Sequence, residues 1–245
     1  MAQLGLLREQ VLGVAGQRGH PVAQRERAGR GHQAAPGAHE QLVAERRAQP
    51  GQDAAHRRRG HADPLHADWR RLYGELAADA YLPIGRAGGE LLYTLARARD
   101  ARTIVEFGTS FGLSTIYLAA ALADAGGGRL ITTELSEAKA AAARRNLERA
   151  GLAQRVEIRV GDALDTLADL PGGVDLLYLD GAKSLYRRVL GLVEPRLAPH
   201  AIVAADNIDM VELVGEFTRY VRDPANGYAS NRVVAGEALE VAVRT

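Results

Sequence analysis

After residue 100, short apolar runs alternate with helical stretches of about ten to fifteen residues, which predicts a doubly wound α/β fold with a mostly parallel sheet covered on both faces. Two further observations agree. The first apolar run, Thr103-Ile104-Val105-Glu106-Phe107, stops at a glycine turn that opens directly into a helix. The last two runs are spaced as an antiparallel hairpin. In such sheets, ligands sit at the carboxyl ends of the strands.

The elements follow in order. Residues 66–82 and 86–99 read as helices, the second with Leu91, Leu92, Leu95 and Ala98 along one side. The strand over 103–107 leads into a helix from Leu113 to Leu122, and Leu130-Ile131-Thr132-Thr133-Glu134 is the next strand. Ser136 suits the N-cap of the following helix and Gly151 its C-terminal stop. Val156-Glu157-Ile158-Arg159-Val160 alternates as a strand and ends at Gly161-Asp162. A short helix then reaches Pro171-Gly172-Gly173. The run Leu176-Leu177-Tyr178-Leu179 ends in Asp180, a helix extends to about Arg196, and Ala201-Ile202-Val203-Ala204-Ala205 ends in Asp206-Asn207. A helix over 209–222 precedes the hairpin of Arg232-Val233-Val234-Ala235 and Leu239-Glu240-Val241-Ala242-Val243.

The chain has 245 residues, 47% hydrophobic and 25% charged, with a formal net charge of +1, which is globular composition with no obligatory polyanionic partner. It has no cysteine, so disulfides and thiolate metal sites are excluded. No apolar run approaches the roughly 18 residues of a membrane span. Leu4-Gly5-Leu6-Leu7 is cut off by Arg8-Glu9-Gln10, too short for a signal-peptide core. The expectation is a cytoplasmic protein without a membrane partner.

Residues 1–65 differ from the rest. They lack Phe, Tyr, Trp and Ile, and they hold ten arginines against six acids and five of the seven histidines. Such a segment cannot bury enough apolar surface to offset its ordering entropy, and it reads as a disordered Arg/Gly/Ala/His-rich extension of a domain at 66–245. A solvated tail, a start assigned upstream of the true one, and a basic nucleic-acid-binding arm all remain open. His56, His61 and His66 make a poor metal tract, because Arg57-Arg58-Arg59 would repel a cation.

Asp180 and Asp206-Asn207 end two buried runs that could be neighbours, roughly 4.8 Å apart in a parallel sheet. Their oxygens could then converge on one hard cation, with Lys183 close enough to move a proton. Capping of the next helices is the plainer alternative for these acids, and a turn role for Asn207.

The first strand-to-helix turn reads Glu106-Phe107-Gly108-Thr109-Ser110-Phe111-Gly112-Leu113-Ser114. Gly108 and Gly112 let the backbone approach a ligand beside a helix N-terminus. A dinucleotide fingerprint would need glycine at 110 and 113, where this chain has Ser110 and Leu113, so a pyrophosphate cofactor is disfavoured. Glu134 suits a bidentate hydrogen bond to a ribose diol, and Asp162 suits an exocyclic adenine amine.

On these motifs, residues 102–245 resemble a class I S-adenosylmethionine-dependent methyltransferase. The nearer likeness is to the cation-dependent O-methyltransferases, the catechol and caffeoyl-CoA group with its small bacterial relatives. The glycine turn, Glu134 and Gly161-Asp162 match the class, while Leu179-Asp180-Gly181-Ala182-Lys183 and Ala205-Asp206-Asn207 match the subgroup. The resemblance implies a Rossmann-like seven-stranded sheet with an N-terminal helical cover over 66–99. It implies that Glu106, Gly108 and Ser114 hold the methionine end of the donor, with Ser110 also binding it. Glu134 and Leu135 would take the ribose, Asp162 and Ala163 the adenine, and Asp180 would border the donor. Asp180, Asp206 and Asn207 would bind a divalent cation, with Lys183 and Asp180 catalytic and Lys183 the general base. A homodimer is an assembly open to the family.

The implied reaction is in-line attack of a hydroxyl oxygen on the sulfonium methyl. An all-oxygen ligand set favours Mg²⁺. Lysine can be deprotonated in a dry site, whereas arginine cannot. Only two of the 31 basic residues are lysines. Lys183 fits the base, and Lys139 reads as an ordinary surface helix residue. Members acting on catechols hold the second hydroxyl with an acid just before the final hairpin, and the aligned residue here is Asn231. The expected acceptor is a hydroxylated small molecule of phenolic type. A hydroxyuridine in tRNA is the alternative acceptor, a non-catalytic donor-binding module is a second reading, and a nicotinamide dehydrogenase is the weakest.

Overall fold

The computed structural model describes residues 84–245. The readings of residues 1–65 and of a helix over 66–82 lie outside the described residues. Helix α1 (Arg86–Ala98) comes first, followed by β1 (Thr103–Phe107), α2 (Leu113–Asp124), β2 (Arg129–Glu134), α3 (Glu137–Arg149) and β3 (Val156–Val160). The chain continues through α4 (Ala163–Thr166), β4 (Val174–Leu179), α5 (Tyr186–Val193), β5 (Leu197–Ala205) and α6 (Val211–Arg222). It closes with β6 (Tyr228–Ala235) and β7 (Glu237–Arg244).

The seven strands form one sheet in the order β3-β2-β1-β4-β5-β7-β6. The first five are mutually parallel, and the hairpin is antiparallel, with β7 beside β5. This is the expected doubly wound, Rossmann-like sheet. The order turns back at β1 and β4, so the crevice between their carboxyl ends is the switch point where such sheets take ligands.

Burial explains why the central strands are unbroken apolar runs. Ile104, Val105 and Phe107 of β1, Leu176 to Leu179 of β4 and Ala201 to Ala205 of β5 are all buried, because helices cover both faces. At the edge, β3 is only partly covered and keeps its alternating, polar-rich sequence. Helix α2 is apolar around most of its circumference and lies inside the core, with Ile116 and Leu118 to Leu122 buried. Helix α1 packs on α2 through Gly88, Gly89, Leu92 and Ala96. Ala98, expected on that stripe, is exposed. A side chain at Gly89 would run into the Tyr117 ring, and this close approach sets the buried face one position away from the expected one.

Three boundaries differ from the sequence reading. Strand β5 begins at Leu197, the hairpin strands extend to Tyr228 and Arg244, and α5 is preceded by a 3₁₀ turn at Lys183–Leu185. Polar residues such as Ser230 and Asn231 hide the longer hairpin from a hydrophobicity pattern. Glu240 is fully buried and takes both arms of Arg222 from α6 at 2.9 and 2.6 Å, together with the Ser230 hydroxyl. No helix among the described residues is long and apolar enough to cross a membrane.

This ion pair fastens the hairpin to α6. Removing its cation would strand a buried charge, at a cost of about 3 kcal/mol or more. Arg222→Ala should therefore lower the urea midpoint far more than Ser230→Ala, which removes a single hydrogen bond worth about 1 kcal/mol.

Candidate functional site

The glycine turn sits where three strands end. Gly108 has φ +105°, and a side chain there would come within 2.7 Å of the Asp180 carbonyl carbon, so only glycine lets β1 touch the chain leaving β4. Asp180 N–H donates to Phe107 O at 2.8 Å, and Asp206 N–H donates to Leu179 O at 3.0 Å, which carries the register from β1 to β5. Ser110 is held at φ +47°, uncommon for a residue with a side chain. Its N–H donates to Glu134 Oε2 at 2.8 Å, and the Ser136 N–H donates to Oε1 at 2.9 Å. Two backbone amides thus fix the Glu134 carboxylate, leaving further lone pairs on each oxygen for a diol. Leu135 beside it is half-buried. Asp162 caps α4 by accepting from Leu164 N–H at 3.0 Å, and Ala163 behind it is buried.

Glu106 lies deeper than a direct ligand contact would. It is fully buried, and its oxygens accept from Ser114 Oγ at 2.6 Å, Thr115 Oγ1 at 2.6 Å and Thr132 Oγ1 at 2.7 Å. Glu106 and Ser114 therefore engage each other beneath the turn. Burial pushes the Glu106 carboxyl up to about 7, against the pull of the three hydroxyls.

At the ends of β4 and β5, the sequence-predicted residues converge. Leu179 pairs with Ala205, so Asp180 and Asp206 leave adjacent strands side by side. Lys183 Nζ lies 2.7 Å from Asp180 Oδ1, with its side chain 7% exposed and its ammonium over the Tyr186 ring. Asp206 is buried. Its Oδ1 accepts from Asn207 N–H at 2.7 Å, and Tyr186 OH donates to its backbone carbonyl at 3.2 Å. The Tyr178 hydroxyl sits 3.5 Å from Asp206 Oδ2 and within reach of Asp180. Burial raises both carboxyls, that of Asp206 to about 6, and Lys183 pulls each back down. Asn207 stands in the left-handed region at φ +53°, which Asn tolerates better than most residues.

Among the described residues, no three His, Asp or Glu form a metal-holding group. A cation between β4 and β5 would thus rest on Asp180, Asp206 and the amide oxygen of Asn207. These are hard oxygen donors suited to Mg²⁺ or Ca²⁺, and a buried and a half-buried carboxylate with Lys183 as a shared counter-ion fit an additional positive charge.

One residue was missed. Glu237, the first residue of β7, hydrogen-bonds the Asp206 carboxyl. Asn231, the aligned position for the acceptor acid, is exposed and pairs with Val241, farther down the hairpin than Asp206. The register of a hairpin depends on its turn, here a tight one at Gly236, and an ungapped alignment does not contain it. Lys139 is buried rather than a surface residue. It lies in the first turn of α3 with its Nζ 5.8 Å from the Phe111 ring of the glycine turn. The scarcity of lysine in this chain was the available signal for both lysines.

A cavity of about 340 Å³ opens at this end of the sheet. Asn207 and Asp209 line it from the loop after β5, Arg232 and Val234 from β6, and Glu237 and Ala238 from β7.

Comparison with known proteins accords with this geometry. Residues 105–208 match the family model described as a methyltransferase domain. A catechol O-methyltransferase of Niastella koreensis is 38% identical over 124 residues, covering 49% of this chain and 55% of that protein. A catechol O-methyltransferase of Mycobacterium tuberculosis is 48% identical over 96 residues, 39% of this chain and 43% of the relative. The chain thus spans about half the length of the curated relatives it matches. An O-methyltransferase from Bacillus cereus, solved with SAH, superposes with a TM-score of 0.62 at 26% identity, over 76% of this chain and 92% of that one. An O-methyltransferase from Streptomyces achromogenes involved in tomaymycin synthesis, solved with SAM, gives 0.62 at 29% identity, over 76% and 91%. The fold, the family match and the solved neighbours are those of a class I S-adenosylmethionine-dependent methyltransferase domain. Within that class, the chain is similar to catechol O-methyltransferases over about half of their length and to solved O-methyltransferases over most of theirs.

The Glu106 carboxyl gives a pH signature. Unfolded, it releases its proton near its ordinary value of 4.5, but folded only near 7. Between these values the unfolded state binds fewer protons, so stability falls as pH rises through the window and levels off above it. The loss attributable to Glu106 should be about 3 kcal/mol. Urea denaturation at pH 4.5 and pH 7.5 should show this decline in the wild type, and in Glu106→Gln the decline should be smaller by that amount, leaving the part due to Asp180 and Asp206.

Proposed function

We propose that the protein transfers the methyl group of S-adenosylmethionine to a hydroxyl of a small phenolic or catechol-like acceptor, with help from a divalent cation. The observation that carries this reading is the convergence of Asp180, Asp206, Asn207 and Lys183 beside the glycine turn. The names of the relatives, catechol O-methyltransferase in two organisms, support the acceptor class.

In this reading the donor lies along the carboxyl ends of β1 and β2. The Gly108–Gly112 turn backs its methionine portion, the Glu134 carboxylate receives the ribose hydroxyls, and Asp162 faces the adenine. Glu106 acts through Ser114 and Thr115, holding the turn from below. The acceptor enters beside Asp180 and Asp206. A divalent cation held by Asp180, Asp206 and Asn207, with Mg²⁺ the favoured ion, would supply Lewis-acid polarisation of the acceptor hydroxyl. Lys183, as the neutral amine, takes the hydroxyl proton, Asp180 stabilises the ammonium that results, and the freed oxygen electron pair attacks the methyl as the carbon–sulfur bond breaks and S-adenosylhomocysteine leaves. Burial of Lys183 and Tyr186 keeps water from competing as acceptor. We further infer that residues 66–245 form the catalytic domain and residues 1–65 an extension. A fragment of residues 60–245 should then retain donor binding and turnover.

Calorimetry should show S-adenosylmethionine binding. EDTA should abolish methyl transfer to 1,2-dihydroxybenzene while leaving the donor dissociation constant within about threefold; activity that survives both EDTA and Asp206→Ala would sink the cation assignment. Lys183→Arg keeps a charge that cannot be given up. It should cut kcat by about 10²- to 10⁴-fold, the usual worth of a general base, with little change in donor affinity. Equal losses in turnover and donor affinity would contradict the base role.

A further inference from the structure

The acceptor side of the proposed site holds a cation that the methyl-transfer reading does not use. Period-two alternation puts Arg232 and Val234 on the same face of β6, and both line the cavity. Across the cavity stand Asn207 and Glu237, next to Asp206. The same cavity is thus bordered by Asn207, one of the residues proposed to hold the cation, and by a guanidinium.

The present partner of Arg232 is a weak one. Nη2 lies 2.8 Å from Asp209 Oδ1, with the two side chains 48% and 68% exposed. An exposed pair resting on one nitrogen is screened and entropically costly, and it exchanges readily for another carboxylate. Guanidinium presents a planar fork of donors that matches a carboxylate through two parallel bonds. Val234 is exposed and Met210 lines the same cavity, which gives an apolar surface between the two charged ends. At about 340 Å³, the cavity is at the small end for ligand pockets and has the size of a single substituted ring.

Resting on the proposed function, we infer that Arg232 is a specificity-determining residue. It selects acceptors that carry a carboxylate on the ring away from the reacting hydroxyl, taking that carboxylate in place of Asp209. The acceptor class is then the hydroxylated aromatic acid rather than the neutral phenol.

The test compares 3,4-dihydroxybenzoate with 1,2-dihydroxybenzene on the full chain with Mg²⁺. In the wild type, kcat/KM should favour the acid by about 10- to 100-fold, the worth of a charge-assisted hydrogen bond, with most of the difference in KM. Arg232→Gln should collapse the ratio towards one, Arg232→Glu should invert it, and Asp209→Asn, which removes the competing carboxylate, should raise it. A wild-type ratio near one, or a ratio unchanged in Arg232→Gln, overturns the inference. Dissociation constants for the same two compounds, measured by calorimetry with S-adenosylhomocysteine and Mg²⁺, should show the same preference and the same collapse. Equal binding constants overturn the inference even if methyl transfer is seen. Preferential binding of the acid without methylation of either compound upholds Arg232 and overturns the proposed reaction instead.

Discussion

The close backbone contact between the ends of β1 and β4 sets the geometry of the site. Gly108 lies against the Asp180 peptide, and on the other side a side chain at Gly181 would enter the Phe107 ring. With both positions bare, Asp180 N–H reaches Phe107 O, and Asp206 N–H repeats the step onto Leu179 O. The donor turn and the two carboxylates are thus indexed to each other by backbone hydrogen bonds rather than by side-chain contacts. In-line transfer needs reacting atoms placed to within a fraction of an ångström, and a register fixed this way varies little with side-chain motion. Phe107 adds to it from below, edge-on to Tyr186, which is itself edge-on to Phe217 of α6.

Around this contact the fold buries four carboxylates and neutralises each differently. Glu106 receives three hydroxyls and holds its proton to about 7. Glu240 receives a two-armed guanidinium and a hydroxyl. Asp180 has the Lys183 ammonium, and Asp206 has a backbone amide, a distant tyrosine hydroxyl and a second acid, Glu237. The first two are closed arrangements that hold structure together. The last two share one lysine and stay short of positive charge, and a buried deficit of that kind is costly unless a ligand relieves it. The molecule therefore separates its structural acids from those suited to bind a cation, and of the four only Asp180 keeps some exposure.

Much of this could be read from the chain. Unbroken apolar runs ending in Asp180 and Asp206-Asn207 follow from burial on both faces, so they marked central strands and their functional ends together. Gly108 and Gly112 marked the turn because no other residue fits there. Spacing told less where placement depends on long-range packing. Glu106 occupies a motif position yet lies beneath its loop, because Thr132 from a neighbouring strand reaches it. Glu237 becomes an acid of the site only through the antiparallel register of β6 and β7, in which Ala205 faces Glu240 and Ile208 N–H reaches Ala238 O. Lys139 looked superficial because it sits in the first turn of a polar helix, but the Phe111 ring covers it.

The two halves of the proposed site are built from material of different rigidity, and this bears on what each can recognise. The donor half draws on the parallel strands β1 and β2 inside the sheet, which pair on both sides and are mostly buried. A change there disturbs β1, β2 and β4 together, so one donor chemistry is held firm. The acceptor half draws on the loop after β5 and on a hairpin at the sheet's edge. That hairpin is fastened from α6 by Arg222, and it leaves Arg232 and Val234 at the surface. Substitutions on an outer strand are tolerated because few neighbours must repack. Acceptor choice can therefore shift by exchange of single residues such as Arg232 while the register linking Gly108, Asp180 and Asp206 stays fixed.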